Sequence, residues 1–349
     1  MAARDGEGVS ALTEESFGSQ HRVTMGDVAR RAGVSRALVS IVMRDARGAS
    51  EETRRRVLAA AEELGYRPDV RAQSLAGQRS RVIGVMFGVS VGEFHFELLD
   101  GLYAAADARG HNLVISPLTA SRDEATAARS LQGFRFDALV MLSPPTPKPL
   151  LAGRIPLAVV GWHVDHPQVD VVRSDDEEGI RSAVAHLVGL GHRDIAHIDG
   201  GATLIADARR RAYVNAMRHH GLADRLRIEA GGQAQVDALA PARRLCAVRA
   251  PTALVAYNDD IAVAAIGVFA QQGITVPNDI SVVGYDDSAV GQLSPVPLTS
   301  VAQRPDELGR LAVERMVARV EQRRIVDREM VVPAELRVRA STAAPAGSL

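Results

Sequence analysis

Polar and aromatic side chains that could bind a small molecule follow short apolar runs in the second part of this chain. They are Phe94, Phe96, Trp162, Asp175, Arg209, Asn258, Asp259 and Asp286. The apolar runs alternate with helical patterns, which indicates parallel sheets, and ligands of such sheets lie beyond the carboxyl ends of the strands. We therefore expect these side chains to face one cleft. Asp175 and Asp259 are explained equally well as caps of helices or turns, whereas Arg209 and Asp286 favour the cleft.

The pattern GVSVG around Ser90 matches the G-x-S-x-G motif of serine hydrolases and follows an apolar run. A nucleophile at Ser90 requires an acid and then a histidine further along the chain. Asp194 with His197, or Asp199 with His219, stand in that order, although neither pair has a supporting context. Because short motifs recur by chance, a hydrolase that uses Ser90 is a minor alternative.

The segment WHVDH carries His163, Asp165 and His166, which are residue types that bind metal ions. They lie in a predicted loop without a helix-borne histidine motif, so exposed loop histidines are the better interpretation. Cys246 is the only cysteine, which excludes a disulfide scaffold and a cysteine-rich metal site. The sequence therefore predicts no metal ion and no other cofactor.

The N-terminal part of the chain predicts three short helices. Thr24 caps a first helix that ends at Gly33, with Asp27 three residues after the cap. Ser35 caps a second helix after a tight turn, which gives a helix-turn-helix pattern. A third helix begins at Ser50. Its predicted buried stripe is Val57, Leu58, Ala61 and Leu64.

The second helix is amphipathic. Its predicted buried residues are Leu38, Val39 and Val42, and its outward residues are Arg36, Ala37, Ser40 and Ile41. The formal net charge of the whole chain is −1, yet residues 22–81 hold 13 Arg against seven acidic residues, a balance of 13 − 7 = +6. A basic end on a neutral protein favours a polyanion partner such as DNA, although a solvated charged surface gives the same pattern.

From residue 81 onward the pattern is that of an α/β fold. Strands are predicted in RVIGVMF, HNLVISPL, FDALVML, IPLAVVGW, DIAHIDG, ALVAYND and ISVVGYD, and helices at 94–109, 123–132, 178–190, 206–220, 235–248, 260–272 and 305–321. This alternation predicts doubly wound parallel sheets in two subdomains, which divide near Ser174 and rejoin around Pro305.

The N-terminal sequence resembles the LacI/GalR family of bacterial repressors in the motifs TMGDVARRAGVS, LVS, ASEETRRRVLAAAEELGYRP and AQSLAG. The resemblance continues more weakly to about residue 339. It implies a helix-turn-helix domain at 22–68, a hinge with a helix at 69–80, and a periplasmic-binding-protein-like core at 81–340. The core subdomains are expected at about 81–174 with 305–330 and at 175–304 with 331–340. Tails are expected at 1–21, which we predict to be mobile, and at 341–349.

The resemblance also implies the residues that contact DNA. They are Thr24, Ser35, Arg36, Ala37, Ser40, Ile41, Arg44, Arg71, Ala72, Leu75 and Ala76. Leu75 corresponds to the wedge that enters the minor groove, with Ala72 and Ala76 beside it, and such wedges kink the duplex. Arg36 can bond guanine, whereas Ala37 offers only apolar contact to a thymine methyl. Ile41 stands where the family commonly has Arg or His, so the operator is unpredictable from relatives.

The function that the resemblance implies is transcriptional regulation, with the chain acting as a repressor. The expected partners are a second copy of the chain, with a tetramer also open, a near-palindromic operator in double-stranded DNA, and a small-molecule effector such as a sugar. The same resemblance places the eight cleft residues on the effector site. No apolar run is long enough for a membrane span, and residues 1–20 lack a signal-peptide core, so we expect a cytoplasmic protein. A solute-binding protein with the same core is the alternative.

Overall fold

The structure is a computed structural model that describes residues 23–43, 47–66, 80–88, 92–119, 121–132, 134–143, 155–323 and 325–346. Two compact units divide near residue 78. The predicted mobile tail at 1–21 and almost all of the predicted hinge at 69–80 lie outside the described residues. Over the described ranges, every helix is too short or too polar to cross a lipid bilayer.

The first unit contains three helices, α1 (Met25–Ala32), α2 (Arg36–Met43) and α3 (Glu51–Glu63). Gly33 ends α1 in the left-handed conformation at φ 66°, which permits the tight turn into α2. The shared core contains Val28, Val39 and Val57, each fully buried, so all three helices contribute to it.

The predicted buried stripe of α3 is wrong at one position. Leu58 is 48% exposed, whereas the neighbouring Val57 and Ala61 are buried. Val57 and Ala61 are four residues apart and share a face of the helix, and Leu58 lies about 100° away from Val57 around the helix axis. On α2, Val39 and Val42 are buried and Leu38 is half-buried.

The second unit is built on two six-stranded sheets. The strands are β1 (Val82–Phe87), β2 (Asn112–Pro117), β3 (Ala138–Leu142), β4 (Leu157–Val160), β5 (Val169–Ser174), β6 (Ile195–Ile198), β7 (Arg227–Glu229), β8 (Ala253–Ala256), β9 (Ser281–Asp286), β10 (Thr299–Ala302), β11 (Glu329–Val332) and β12 (Glu335–Arg337). The upper sheet has the order β11-β5-β4-β3-β1-β2 and is parallel throughout. The lower sheet has the order β12-β10-β9-β8-β6-β7, with β12 antiparallel to β10.

Helices cover both faces of each sheet, as the predicted doubly wound fold requires. They are α4 (Glu93–Asp107), α5 (Glu124–Gln132), α6 (Asp176–Gly189), α7 (Leu204–His219), α8 (Gln235–Val248), α9 (Asp259–Gln271), α10 (Ala289–Gln292) and α11 (Pro305–Val320). In the upper sheet, Val140 and Leu142 face one hydrophobic cluster while Leu139 and Met141 face another. Two buried faces explain why these strands read as unbroken apolar runs.

Helices α4 and α11 approach each other closely because glycines lie at their contact. A Cβ atom on Gly309 would lie 2.6 Å from the backbone oxygen of Leu98, and one on Gly101 would lie 2.5 Å from the oxygen of Asp306. The chain crosses between the sheets after β5, after β10 and between β11 and β12. These crossings lie close to the predicted subdomain boundaries, although β11 continues to Val332, two residues past the predicted end at 330.

Five described strands were not predicted, namely β5, β7, β10, β11 and β12. The structure also differs from the prediction that 341–349 lies outside the fold. Ser341 is fully buried. Its hydroxyl donates to the backbone oxygen of Val282 at 2.6 Å and accepts from the backbone nitrogen of Thr299 at 2.7 Å. Residues 341–343 therefore belong to the lower subdomain, because their polar groups satisfy strands β9 and β10.

Candidate nucleic-acid interface and ligand cleft

Both helices of the helix-turn-helix begin at a side-chain cap. The Thr24 hydroxyl accepts from the backbone nitrogen of Asp27 at 3.3 Å, and the Asp27 carboxylate accepts from the Thr24 backbone at 2.7 Å. The Ser35 hydroxyl accepts from the backbone nitrogen of Leu38 at 3.2 Å. These caps satisfy helix-end donors, so Thr24 and Ser35 have a structural role besides the predicted contact with DNA.

The outward face of α2 carries the predicted base-reading residues. Arg36 and Ala37 are exposed, whereas Ser40 and Ile41 are half-buried. Arg36 makes no ion pair with any described residue. The methyl groups of Ile41 lie beside Gly48 in the loop that follows α2. Arg44, Arg71, Ala72, Leu75 and Ala76 were also predicted to contact DNA and lie outside the described residues.

A cavity of about 670 Å³ lies between the two subdomains of the second unit. Its walls include the residues that follow the carboxyl ends of strands in both sheets, among them Ser143, Trp162, Asn258 and Gln303. A cavity of this size at this edge of parallel sheets matches the dimensions of small-molecule sites.

Arg209 lies on α7 and lines the cavity from the lower subdomain. Its side chain is 4% exposed, and its Nε donates to the Asp176 carboxylate at 2.9 Å while Nη1 donates to the Tyr257 backbone oxygen at 2.7 Å. The guanidinium carbon lies 3.6 Å from the ring centroid of Tyr285 and 4.8 Å from that of Tyr257. Burial opposes the charge, but Asp176 and the surrounding groups hold the pKa of Arg209 above its usual value.

Asp286 ends β9 and lines the cleft beside Arg209. Its carboxylate accepts from Gln303 Nε2 at 2.5 Å and lies 3.8 Å from Arg209 Nη1. Its φ of 105° is rare for a residue with a side chain, and such strain concentrates at functional sites. Burial raises the pKa of Asp286 to about 8, with Arg209 opposing the shift and Asp259 adding to it.

The other predicted cleft residues divide into two groups. Phe94, Trp162 and Asn258 line the cavity, and the Trp162 indole nitrogen is buried without a partner among the described residues. For Asp175 and Asp259 the prediction left a cleft position and a cap equally open, and neither residue lines the cavity. Asp175 instead caps α6, and its carboxylate accepts from the Glu178 backbone at 3.1 Å.

Asp259 supports the cleft from behind. Its carboxylate accepts from the hydroxyls of Ser300 at 2.6 Å and Ser288 at 2.9 Å. Burial raises its pKa to about 6 although both hydroxyls oppose the shift. Phe96 also differs from the prediction, because it is 61% exposed and does not line the cavity. Phe94 and Phe96 both lie on α4, where residues two positions apart point to different sides.

Several lining residues were missed by the sequence reasoning. They include Glu93, His95, Asp176, Gln233, Gln235, Tyr257, Asp260 and Gln303. Asp176 is the partner of Arg209, and the sequence offers the adjacent Asp175 as an equally good candidate. Gln233 and Gln303 follow short strands that were not predicted. They could therefore not be recognised as polar residues at the end of a strand.

The described residues form neither a catalytic site around the hydrolase motif nor a metal site at the WHVDH segment. Ser90 lies outside them, and His197 is fully buried in β6 with its Nδ1 2.8 Å from the Val255 backbone oxygen. His163 Nδ1 lies 3.1 Å from Glu329 Oε2, and His166 Nδ1 accepts from the Gln168 backbone at 3.2 Å. Within the described ranges, no three His, Cys, Asp or Glu side chains are grouped to hold a metal ion.

Comparison with known proteins identifies both units. Residues 24–69 match the family described as bacterial regulatory proteins, lacI family, and residues 184–342 match the periplasmic binding protein-like domain. The chain is 30% identical over 330 residues to the HTH-type transcriptional repressor PurR of Photobacterium profundum, an alignment that covers 91% of this chain and 98% of the relative. The chain belongs to the LacI family. It is therefore a DNA-binding transcriptional regulator, which confirms the resemblance read from the sequence.

Two further LacI-family proteins support this assignment. The ribose operon repressor of Escherichia coli is 32% identical over 310 residues, covering 86% of this chain and 93% of the relative. The crystal structure of the lac repressor dimer bound to operator and the anti-inducer ONPF matches with a TM-score of 0.83 and 29% identity, covering 92% of this chain and 99% of that chain. The expected α/β fold, a helix-turn-helix followed by a periplasmic-binding-protein-like core, is thus confirmed as a LacI-family architecture.

Proposed function

We propose that this LacI-family protein represses transcription by binding a near-palindromic operator as a homodimer. The observation that carries the proposal is the exposed face of α2, which presents Arg36 and Ala37 on a helix held by capped turns. Two-fold symmetry places two such helices about one helical turn of DNA apart, so the operator repeats the symmetry of the dimer. The lac repressor dimer bound to operator is the structural precedent for this arrangement.

In this proposal Arg36 bonds the N7 and O6 acceptors of a guanine, and Ala37 contacts a thymine methyl. Ile41 cannot donate a hydrogen bond, so it contributes apolar contact only. Ser40 on α2 and the helix caps Thr24 and Ser35 contact phosphates in this proposal. The remaining proposed DNA contacts are Arg44, Arg71, Ala72, Leu75 and Ala76.

Selection of bound duplexes from a random DNA pool tests this function. We expect enrichment of a near-palindrome and an affinity that falls steeply with salt, because phosphate contacts release counterions. Replacing Arg36 with Ala should cost ~1–3 kcal/mol of discrimination at one base pair of each half-site. Ile41→Arg serves as the matched gain variant, since it should create a preference for guanine at a second position. Absence of enrichment at low salt would instead favour a solute-binding role.

The cleft of the second unit supports an effector site in the same proposal. Phe94, Trp162, Arg209, Asn258 and Asp286 line it. An effector that binds the open and closed cleft differently changes operator affinity by a coupling of ~1–3 kcal/mol, which is about 5–150-fold. Operator titrations with and without a compound that quenches Trp162 fluorescence measure this coupling directly. A compound that binds without altering operator affinity contradicts the regulatory role of the cleft.

A further inference from the structure

The charges along the described cleft wall are strongly unbalanced. Four acidic side chains line the cavity, at Glu93, Asp176, Asp260 and Asp286. Among the described lining residues, Arg209 is the one permanent cation. His95 also lines the cavity, but burial lowers its pKa and favours the neutral ring. The cleft therefore has an excess of negative groups.

The single cation is already used by the protein. Two donors of Arg209 are directed at Asp176 and at the Tyr257 backbone oxygen, and its plane lies against the ring of Tyr285. Asp286 is a further negative neighbour at 3.8 Å. A carboxylate or phosphate that bound the Nε donor of Arg209 would displace Asp176, which would then remain as an uncompensated buried charge.

The amide groups of the cleft are also directed at the protein. Gln303 donates to Asp286 at 2.5 Å, and Gln235 Nε2 donates to Asp260 Oδ1 at 2.9 Å. Asn258 Nδ2 donates to the Gln233 backbone oxygen at 3.0 Å. Each of these amide groups therefore has a protein partner, whereas the Trp162 indole nitrogen has none among the described residues, and the carboxylates remain as acceptors for a ligand.

Two carboxylates keep an oxygen without a hydrogen-bond partner among the described residues. Glu93 Oε2 accepts from the Val290 backbone at 3.0 Å, which leaves Oε1, and Asp260 uses only Oδ1. The two residues lie in the first turns of α4 and α9, on opposite subdomains. The start of α4 lies close to Asp260, because a Cβ atom on Gly92, the residue before Glu93, would lie 3.3 Å from Asp260 Oδ2.

We propose that the effector carries a protonated nitrogen, which binds the Glu93 and Asp260 carboxylates and ties the two subdomains together. The inference rests on the proposed effector role of the cleft. An ammonium group has three donors and matches a wall of acceptors. It also supplies the positive charge that Glu93 and Asp260 lack, whereas an acidic ligand adds to the repulsion.

A metabolite library sorted by charge tests the inference on the full-length protein. Compound binding is measured by the shift in melting temperature and by Trp162 fluorescence. The library includes matched sets such as glucosamine, glucose and glucuronate, and galactosamine, galactose and galacturonate. We expect the compounds that bind to carry a basic nitrogen, and the amine of a matched set to bind more tightly than its neutral and acidic counterparts.

Substitutions identify the carboxylates responsible. Glu93→Gln and Asp260→Asn should each weaken binding of the amine about tenfold or more, as expected for loss of a charge-assisted hydrogen bond, and should weaken binding of a neutral analogue by a smaller factor. Asp224→Asn, at an exposed site on the 3-10 turn after α7, is the matched control and should bind normally.

Two other outcomes separate this inference from the proposed function. If the compounds that bind are acidic or neutral, or if both substitutions leave the preference for the amine intact, the effector role stands and the inference is wrong. If no compound in the library changes melting temperature or operator affinity while operator binding is intact, the effector role itself is contradicted, and the inference with it.

Discussion

Replacing Arg209 with Met should strongly destabilise the lower subdomain. The side chains of Asp176 and Asp286 are 10% and 15% exposed, and both depend on this guanidinium for compensation. Removing one partner of a buried ion pair typically costs ~3–5 kcal/mol, because the other charge stays buried. A domain of this size loses roughly 2–4 °C in Tm per kcal/mol, so the expected decrease is about 6–20 °C.

Thermal unfolding followed by circular dichroism measures this effect, with Arg211→Met as the control on the same helix. Arg211 is 68% exposed and pairs with the half-exposed Asp207, so its loss should cost ~0–1 kcal/mol. The penalty for Arg209→Met should grow as the pH rises. Arg209 opposes the raised pKa of Asp286, so without Arg209 this carboxyl group is neutral at low pH, whereas at high pH it is charged and lies beside Asp259 and Asp176.

The double variant Asp176→Asn with Arg209→Met should recover part of the lost stability, since it removes one of the stranded charges. The reasoning is refuted if Arg209→Met melts within about 2 °C of the Arg211→Met control. It is equally refuted if the penalty is larger at pH 5.5 than at pH 8.5. Either result would mean that Asp176 and Asp286 find other compensation.

Three further predictions concern the second unit. Burial raises the pKa of Asp286 to about 8, so the folded state binds more protons than the unfolded chain. The free energy of unfolding should therefore fall between about pH 4 and pH 8. Asp286→Asn should flatten that slope in melts across the range. Gly309→Ala should lower the free energy of unfolding by ~1–3 kcal/mol in urea titrations, because its Cβ clashes with α4. Gly267→Ala on α9, where a Cβ meets nothing within 4 Å, should raise it by ~0.5–1 kcal/mol. Equal effects would contradict the close contact. Ending the chain after residue 340 should lower the Tm clearly, because the polar partners of β9 and β10 are lost, while ending it after residue 346 should not; the two truncations melting together would contradict the packing of residues 341–343.

The helix-turn-helix could be predicted because its signals are local. The caps Thr24 and Ser35 and the glycine at 33 act within a few residues of themselves, and each occupies its predicted place. The strands β5, β10 and β11 were missed because polar or charged residues interrupt their apolar pattern, as Asp170 and Arg173 do in β5. Asp170 is buried, and its charge is compensated by ion pairs with Arg315 and Arg319, about 150 residues away in sequence. No local sequence pattern reveals such distant partners.

The proposed effector site shows the same division between local and distant information. Asp286 was placed in the cleft because it ends a predicted strand, and Arg209, within a predicted helix, because the family resemblance implies it; both line the cavity. The choice between Asp175 and Asp176 could not be made from the sequence, because a shift of one residue at a helix start exchanges a cap for a side chain that faces the wall. Phe96 was misplaced for a similar reason, since the exact start of α4 decides which aromatic ring faces inward.

The final strands of both sheets have a consequence for synthesis of the protein. β11 forms an edge of the upper sheet and β12 forms an edge of the lower sheet, and both strands lie within residues 329–337. During translation at roughly 5–20 residues per second, domains fold as they emerge, N-terminal domain first. The α1–α3 unit can therefore fold on the ribosome, whereas neither half of the cleft can complete its sheet until residues 329–337 have been translated. The nascent chain acquires its DNA-reading surface before the part that would regulate it.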